Sequence, residues 1–379
     1  MGPGAALMPS GSGSTTRSGP ARRPLRVGVV GLGHYHVTGW VETLEGFPDE
    51  TEIVVLHDPD PERGRTLAPV HHDPSLRPAL GEAYRAVPFE PSLERLIATS
   101  DLDLALVTLP NAEAPTAIER LAAAGIHLLV DKPAARSAAE LRPAVAAVRA
   151  AGVRVVVGLT RRYAPAARAA RELIASGGLG RLIAAEASFA TSSVAVRDPS
   201  NLLFDAEQSG GGVLSWLGVH DVDALLWLSG EPITEVVALT GSLGHPALAV
   251  EDVVTVGVRF AGGAVGTIHG GYDLPARGYR GRLALRGIQH SVELASEDAL
   301  VVLARSDDGS LAETRETFAV TPAAGYGAGG RAAVADLLGA IRDGRETEAP
   351  IEALVNALEV IDAAYRSART GRLVRLDGS

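Results

Sequence analysis

The stretch Leu25–His36 reads LRVGVVGLGHYH and decides the fold of the first half of the chain. A short apolar run leads directly into a loop that contains Gly31 and Gly33, and a helical pattern begins at Val37. Gly31 permits a tight turn, and Gly33 lets the backbone approach a bound phosphate closely. A strand, a glycine loop and a helix in this order are typical of a Rossmann domain, in which a dinucleotide diphosphate binds at the helix N-terminus.

An acidic residue after the second predicted strand, 52–57, narrows the identity of the dinucleotide. Asp58 is positioned to accept hydrogen bonds from the adenosine ribose and to repel a 2′-phosphate, which favours NAD over NADP as the cofactor. The alternative is that Asp58 only opens the turn of residues 58–61, which read DPDP. His36 stands where the usual GxGxxG pattern has a third glycine. The prediction of a dinucleotide site therefore depends on the order strand, glycine loop and helix more than on the motif itself. The loop residues expected to contact the dinucleotide are Gly31, Leu32, Gly33, His34, Tyr35 and His36.

Hydrophobic periodicity divides the chain into two predicted domains. Up to about residue 159, short strands alternate with helical segments, as in a parallel sheet that is covered on both faces. Later strands have antiparallel character, and some are joined by short turns such as residues 261–263. We predict an α/β protein with an N-terminal Rossmann dinucleotide-binding domain, 25–159, and a C-terminal α+β domain, 160–379, with a large, mostly antiparallel open sheet. The predicted strands are 25–30, 52–57, 104–108, 127–130, 154–159, 181–189, 233–240, 252–260, 264–271, 282–286 and 291–294, and the later helices are 165–176, 212–228, 331–343 and 351–370.

Composition and charge restrict the partners and the location of the protein. The 379 residues include 35 basic and 45 acidic side chains, a net charge of −10, which argues against nucleic acid or an anionic membrane as the main partner. The chain has no cysteine and its ten histidines are scattered, so we predict no metal site. Residues 1–24 are rich in Gly, Pro and Ser and are predicted to be disordered. No apolar run approaches the ~20 residues of a membrane span, and we expect a cytoplasmic protein.

Several further segments resemble the Gfo/Idh/MocA family of oxidoreductases, the relatives of glucose-fructose oxidoreductase and inositol dehydrogenase. Residues 109–111 read LPN, residues 124–133 read AGIHLLVDKP, and residues 158–165 and 210–223 also match family segments in order and spacing. The resemblance runs from about residue 25 to residue 376. It implies NAD(P)-dependent oxidation or reduction of a hydroxyl or carbonyl group on a sugar, polyol or glycoside. It also implies a homo-oligomer, a dimer or tetramer, because the family's open sheet often forms an oligomer interface.

The resemblance also assigns Lys132 and His220 to the reacting centre. Hydride removal from an alcohol carbon requires a base for the hydroxyl proton and a cation that stabilises the developing alkoxide. His220 is the candidate base and Lys132 the candidate cation. Taken alone, they would be interpreted as a buried core histidine and an exposed lysine before a helix. The other expected cofactor contacts are Pro110, Asn111, Asp131 and Arg162, in addition to Lys132 itself, and the expected substrate contacts are Tyr163, Trp216, Asp223 and Tyr272.

Trp216 stands where the family usually has an aspartate, four residues before His220 on the same helix face. An indole carries no negative charge and cannot raise the basicity of the histidine. One hypothesis is that Lys132 and His220 work alone, and a second is that Trp216 stacks against a sugar ring. A third is that the chain is a nucleotide-binding regulator without redox activity. A glycoside hydrolase that uses bound NAD for a transient oxidation is a further alternative.

Overall fold

The computed structural model describes residues 23–34, 36–66, 80, 82–192, 194, 202–244 and 248–376. These residues form two sheets, one parallel and one mostly antiparallel, which confirms the predicted fold class. Residues 1–22, which make up most of the segment predicted to be disordered, lie outside the described residues, and so does Tyr35. No helix in the described ranges is both long enough and apolar enough to cross a membrane.

The first sheet consists of five parallel strands that are almost completely buried. They are β1 (Leu25–Val30), β2 (Thr51–His57), β3 (Leu104–Val107), β4 (His127–Val130) and β5 (Val155–Val157), in the order β2-β1-β3-β4-β5. The strand order reverses at β1, and ligands of such sheets bind outside the carboxyl ends of the strands at this point. The accompanying helices are α1 (His36–Glu45), α2 (Pro61–Thr66), α3 (Leu93–Thr99), α4 (Ala114–Ala123) and α5 (Ala138–Ala151).

The second sheet has nine strands, and its neighbours are antiparallel apart from one parallel pair, β6 with β9. The strands are β6 (Leu182–Ser192), β7 (Ile233–Gly241), β8 (Val253–Phe260), β9 (Val265–Leu274), β10 (Tyr279–Gly287), β11 (His290–Ser296), β12 (Ala299–Arg305), β13 (Leu311–Thr317) and β14 (Val374–Arg375). Their order is β13-β12-β11-β10-β6-β9-β8-β7-β14. The helices are α6 (Pro165–Ala175), α7 (Ala206–Ser209), α8 (Val219–Ser229), α9 (Gly327–Asp343) and α10 (Ile351–Thr370).

The sequence prediction missed three strands of this sheet, β12, β13 and β14. The last two of them leave little signal in the sequence. The edge strand β13 is almost fully exposed and carries charged side chains on both faces, so it lacks the apolar alternation of a half-buried strand. The strand β14 has only two residues and pairs with β7 after the C-terminal helix. Both strands are stabilised mainly by backbone pairing, which leaves little trace in the side-chain pattern.

The helix predicted over residues 212–228 is two segments. A π-helical turn, Leu214–Gly218, precedes α8. The Glu251 carboxylate fixes the start of this turn, because it accepts hydrogen bonds from the backbone N–H groups of Gly212 and Leu214 at 2.8 and 2.9 Å. A Cβ atom on Gly212 would lie 1.9 Å from the Glu251 carbonyl oxygen, so this position requires glycine. The turn carries Trp216, and α8 carries His220 and Asp223.

In the part of the chain that the structure describes, helices cover one face of the second sheet. Along β7, Val236 and Ala238 are buried, whereas Val237 is 48% and Leu239 77% exposed. Since side chains alternate between the faces of a strand, the exposed pair lies on the face opposite to the helices. On β9, Val265 is exposed on this open face as well.

Candidate active site

The glycine loop is held in a tight turn at the carboxyl end of β1. Gly31 has a φ of +103°, and a Cβ atom on it would lie 2.6 Å from the Leu109 backbone nitrogen. The backbone N–H of Gly31 donates to the His57 carbonyl, and Thr108 donates its hydroxyl to the Gly31 carbonyl. The loop therefore lies against the ends of the two neighbouring strands, where a Rossmann domain binds its dinucleotide.

Asp58 is completely buried beneath this loop. Its Oδ2 accepts the Leu32 N–H at 2.8 Å, and its Oδ1 accepts the Asp60 N–H at 3.0 Å. The Arg63 guanidinium donates to the same carboxylate at 3.2 Å. A Cβ atom on Gly33 would lie 2.6 Å from Arg63 Nη1, so this side chain also covers the loop. The carboxylate predicted to bind the ribose thus fixes the loop, and Arg63 is a cation next to it that the sequence analysis did not single out.

Asp131 accepts hydrogen bonds from two side chains at the start of α1. Its Oδ2 lies 2.7 Å from His36 Nδ1, and its Oδ1 accepts the Trp40 indole N–H at 3.0 Å. Burial alone would raise the pKa of Asp131, but His36, His34 and Lys132 hold that pKa well below its usual range. The residue predicted to contact the cofactor is therefore a buried carboxylate that attaches the glycine loop to the end of β4.

Three groups here could in principle ligate a metal ion. Ligand atoms of His34, His36 and Asp131 all lie within 4.8 Å of one another. Hydrogen bonds already account for this arrangement, because His36 pairs with Asp131 and the His36 backbone N–H donates to His34 Nδ1 at 3.2 Å. The ammonium of the adjacent Lys132 also opposes a second cation. We therefore interpret the cluster as a support for the loop.

Lys132 reaches from the end of β4 to the second domain. Its Nζ donates to the Trp216 backbone carbonyl at 2.6 Å, and the residue is only 6% exposed. Burial lowers the pKa of Lys132 to about 8, Asp131 opposes this shift, and Arg161 adds to it. The ammonium is therefore charged at neutral pH and is far more acidic than an ordinary lysine.

His220 lies at the start of α8, close to Lys132 and Arg161. Burial, followed by the charges of these two residues, holds the pKa of His220 well below its usual value. Its Nδ1 is buried and has no hydrogen-bond partner among the residues that the structure describes. The imidazole is therefore neutral at neutral pH and can accept a proton.

Trp216 faces the glycine loop. Its indole is stacked on the His34 imidazole, with ring centroids 5.3 Å apart, and Lys132 Nζ lies 5.8 Å from the indole centroid. The residue is only 4% exposed, and Nε1 lacks a hydrogen-bond partner among the described residues. In this structure the side chain predicted to contact the substrate contacts the nucleotide loop.

The remaining predicted site residues are mostly held by protein partners. Arg162 forms a buried ion pair with Asp223, at 2.6 to 3.2 Å, and also donates to the Glu348 carbonyl. The Tyr163 hydroxyl donates to Asp336 on α9 at 2.8 Å. The side chains of two others contact residues of the second domain. Asn111, next to Pro110 after β3, donates to the Ser209 carbonyl at 2.8 Å, and Tyr272 packs edge-on against Phe204.

A second network, which the sequence analysis missed, adjoins His220 through Asp221. The Arg161 guanidinium donates to the Asp221 carboxylate and to the Tyr279 hydroxyl. Burial would lower the pKa of Arg161, but Asp221 and Tyr279 raise it overall, so the cation is permanent. Two features of the sequence could have indicated this ion pair, the doubled arginine at 161–162 and the acid directly after His220. The family segments matched Arg162 and Asp223 instead, so Arg161 and Asp221 were not predicted.

The sequence matches known proteins over both domains. Residues 25–159 match the oxidoreductase family with an NAD-binding Rossmann fold, and residues 167–293 match the GFO/IDH/MocA C-terminal domain. The chain therefore belongs to the GFO/IDH/MocA family, as the resemblance predicted.

Individual relatives cover the chain to different extents. The 1,5-anhydro-D-fructose reductase of Ensifer adhaerens is 35% identical over 181 residues, which are 47% of this chain and 53% of the relative. Inositol 2-dehydrogenase of Rhizobium meliloti is 25% identical over 75% of this chain and 84% of its own length. The structure of GenD2 from gentamicin A biosynthesis, solved with NAD, is 27% identical with a TM-score of 0.73, covering 98% of this chain and all of GenD2. The chain spans about half the length of the first curated relatives it matches.

Proposed function

We propose that the protein is an NAD-dependent dehydrogenase or reductase that transfers a hydride between nicotinamide and a hydroxyl or carbonyl group of a sugar or polyol. The observation that carries this proposal is the pairing of Lys132 and His220 beside the glycine loop. One is a buried cation and the other a half-buried neutral base, and they come from different domains. The names of the sugar and polyol oxidoreductases in the family support the substrate class.

Lys132 and His220 divide the proton chemistry between them. The neutral His220 accepts the hydroxyl proton of an alcohol substrate, because its depressed pKa keeps a lone pair available at neutral pH. The Lys132 ammonium donates a hydrogen bond to the oxygen as negative charge develops on it. The Trp216 carbonyl holds this ammonium in place. In the reverse direction the same two groups return the proton to a carbonyl oxygen.

The residues around the glycine loop fit a dinucleotide. A diphosphate would approach the backbone near the start of α1 at Gly33, which has no side chain and lies beside the Arg63 guanidinium. NAD, when bound, supplies the hydride acceptor. Asp58 favours NAD, as its charge repels a 2′-phosphate, whereas Arg63 beside it offers a cation to that phosphate. We propose NAD as the preferred cofactor, with NADP as a weaker ligand.

The experiment is a protection screen followed by turnover. NAD and NADP are added separately, the midpoint of thermal unfolding is measured, and a panel of sugars and polyols is then added. A ligand that binds only the folded state raises its stability. We expect NAD to raise the midpoint and at least one sugar or polyol to yield NADH. Lack of any shift with either dinucleotide at millimolar concentration would refute the proposal.

We also propose a homo-oligomer that covers the open face of the second sheet. The exposed apolar side chains of β7 and β9, including Leu239 and Val265, support this assignment. Sedimentation of the purified protein tests it, and a charged substitution at Leu239 should shift the distribution towards monomers.

A further inference from the structure

A pocket beside His220 contains none of the residues that the resemblance assigns to the cofactor or substrate site. It lies between α6, α8 and the ends of β10 and β11, and we call it the Arg161 pocket. Its cavity measures about 130 Å³, which is close to the ~150 Å³ cavity that holds one benzene ring. That space suits one sugar ring rather than a whole extended ligand. Its lining includes Arg161, Asp221, Trp227, Leu228, Tyr279 and Glu297.

The pocket adjoins the reacting centre directly. Asp221 follows His220 on α8, and the positive charge of Arg161 lowers the pKa of both Lys132 and His220. Asp221 lines the pocket, so the pocket begins one residue away from His220 in the chain.

The polar side of the pocket carries two cations, Arg161 and Arg282, and two carboxylates, Asp221 and Glu297. The Arg161 cation is already paired with Asp221 and bonded to Tyr279. Glu297 adds a second, exposed carboxylate that acts on both Arg161 and Tyr279. Arg282 also lines the pocket, but its guanidinium is bound to Glu186 and Glu293 on the neighbouring strands. The pocket therefore disfavours an anion and favours groups that donate hydrogen bonds.

The opposite side of the pocket is apolar. Trp227 and Leu228 from α8 form it together with alanines of α6 and α8. The Trp227 indole N–H is bound to Glu348 at 2.7 Å, so the ring contributes its apolar surface to the pocket. An aromatic wall opposite hydrogen-bonding groups matches a pyranose, which has apolar C–H faces and a polar rim.

We propose that the Arg161 pocket binds a second sugar ring, neutral or amino-substituted, that is joined to the ring oxidised at Lys132 and His220. This inference rests on the proposed function and specifies its substrate as a glycoside rather than a single sugar or polyol. Hydroxyl and ammonium groups share the required chemistry, since both donate hydrogen bonds to the acidic side of the pocket. An anionic ring, such as a uronic acid, would meet the Glu297 carboxylate while both arginines are already bonded to carboxylates, so we expect it to bind more weakly.

The test compares single sugars with disaccharides as substrates for NAD⁺ reduction. Glucose is compared with maltose, cellobiose, the disaccharide of glucosamine and cellobiouronic acid. We expect at least one neutral or amino disaccharide to exceed glucose in kcat/KM by about tenfold, and the uronic acid to show no such gain. Trp227→Ala should remove this gain and leave the value for glucose within about twofold, whereas Trp227→Phe should retain it. Glu297→Gln, an exposed substitution, should weaken the amino disaccharide more than the neutral ones.

Several results would overturn the proposal. Equal kcat/KM for glucose and all disaccharides contradicts it, as does an equal loss for both in Trp227→Ala. If none of these sugars is oxidised, the NAD-bound protein is heated with each disaccharide, and no stabilisation by any of them contradicts the pocket assignment. Failure of the proposed function is distinct, because then NAD itself neither stabilises the protein nor is reduced with any sugar or polyol.

Discussion

The imidazole of His34 and the indole of Trp216 lie parallel, with an interplanar angle of 6°. His34 belongs to the glycine loop and Trp216 to the π-helical turn, so the contact joins the nucleotide-binding loop to the second domain. Burial, followed by the charge of His36, holds the pKa of His34 well below its usual value. The neutral His34 ring therefore stacks on the indole of Trp216, which stands at the position where the resemblance implies an aspartate.

Replacing Trp216 by aspartate should make His220 a stronger base. A carboxylate one turn before His220 stabilises the imidazolium, so the acid limb of the kcat/KM profile should move to higher pH. Loss of the buried indole should also cost about 3–5 kcal/mol of unfolding free energy. The pH profile and urea unfolding measure the two effects. Trp216→Phe serves as the control for the aromatic contact, and an unchanged acid limb in Trp216→Asp would contradict the assignment of His220.

Lys132→Met should remove the cation at the reacting oxygen while preserving much of the side-chain volume. We expect kcat to fall by about 10²–10³, as for loss of one preorganised donor, with NAD affinity changed much less. Stopped-flow turnover and NAD titration separate the two quantities. A variant with full turnover would exclude Lys132 from the chemistry.

The depressed pKa of Lys132 should also appear in the pH dependence of stability. Below pH 8 the lysine is charged in both folded and unfolded chains, and its burial then destabilises the folded state. Between about 8 and its ordinary value of 10.5, only the unfolded chain holds the proton, so stability from this group rises with pH. The unfolding free energy of Lys132→Met minus that of the wild type should therefore decrease as pH rises above 8. A difference that does not change with pH would mean an ordinary pKa.

Asp131→Asn should shift the alkaline limb of activity to lower pH. The Asp131 charge raises the pKa of Lys132, so its removal makes the ammonium lose its proton more easily. The amide should also weaken the hydrogen bond with His36 and lower the free energy of unfolding by roughly 1–3 kcal/mol. Activity is measured between pH 7 and 9. Lys132→Arg is the control, in which the alkaline limb should move to higher pH because a guanidinium keeps its proton.

Arg63→Ala should change cofactor preference. Arg63 is the cation beside Asp58, so its loss should weaken NADP binding by about tenfold and NAD binding by much less. Fluorescence titration with each reduced dinucleotide gives the two dissociation constants. Equal losses for both would show that Arg63 only supports the loop.

The sequence was sufficient for the elements whose side chains carry a periodic pattern. The buried strands of the first sheet were predicted within a few residues, because their apolar runs and the glycine loop are local signals. The edge strand β13 was missed because backbone pairing, which forms it, does not require apolar residues. Long-range contacts were also hidden. Nothing local to Arg161 indicates its partner Tyr279, because the two residues are far apart in the sequence and meet only when β10 joins the sheet.

Lys132 is anchored by the backbone carbonyl of residue 216 and not by its side chain. Every amino acid has this carbonyl, so the lysine can keep its position whichever side chain stands there. Residue 216 is therefore open to variation during evolution without loss of the ammonium's attachment. If the proposed reaction holds, a tryptophan at this position can change substrate choice and pH dependence while the contact between the two domains is kept.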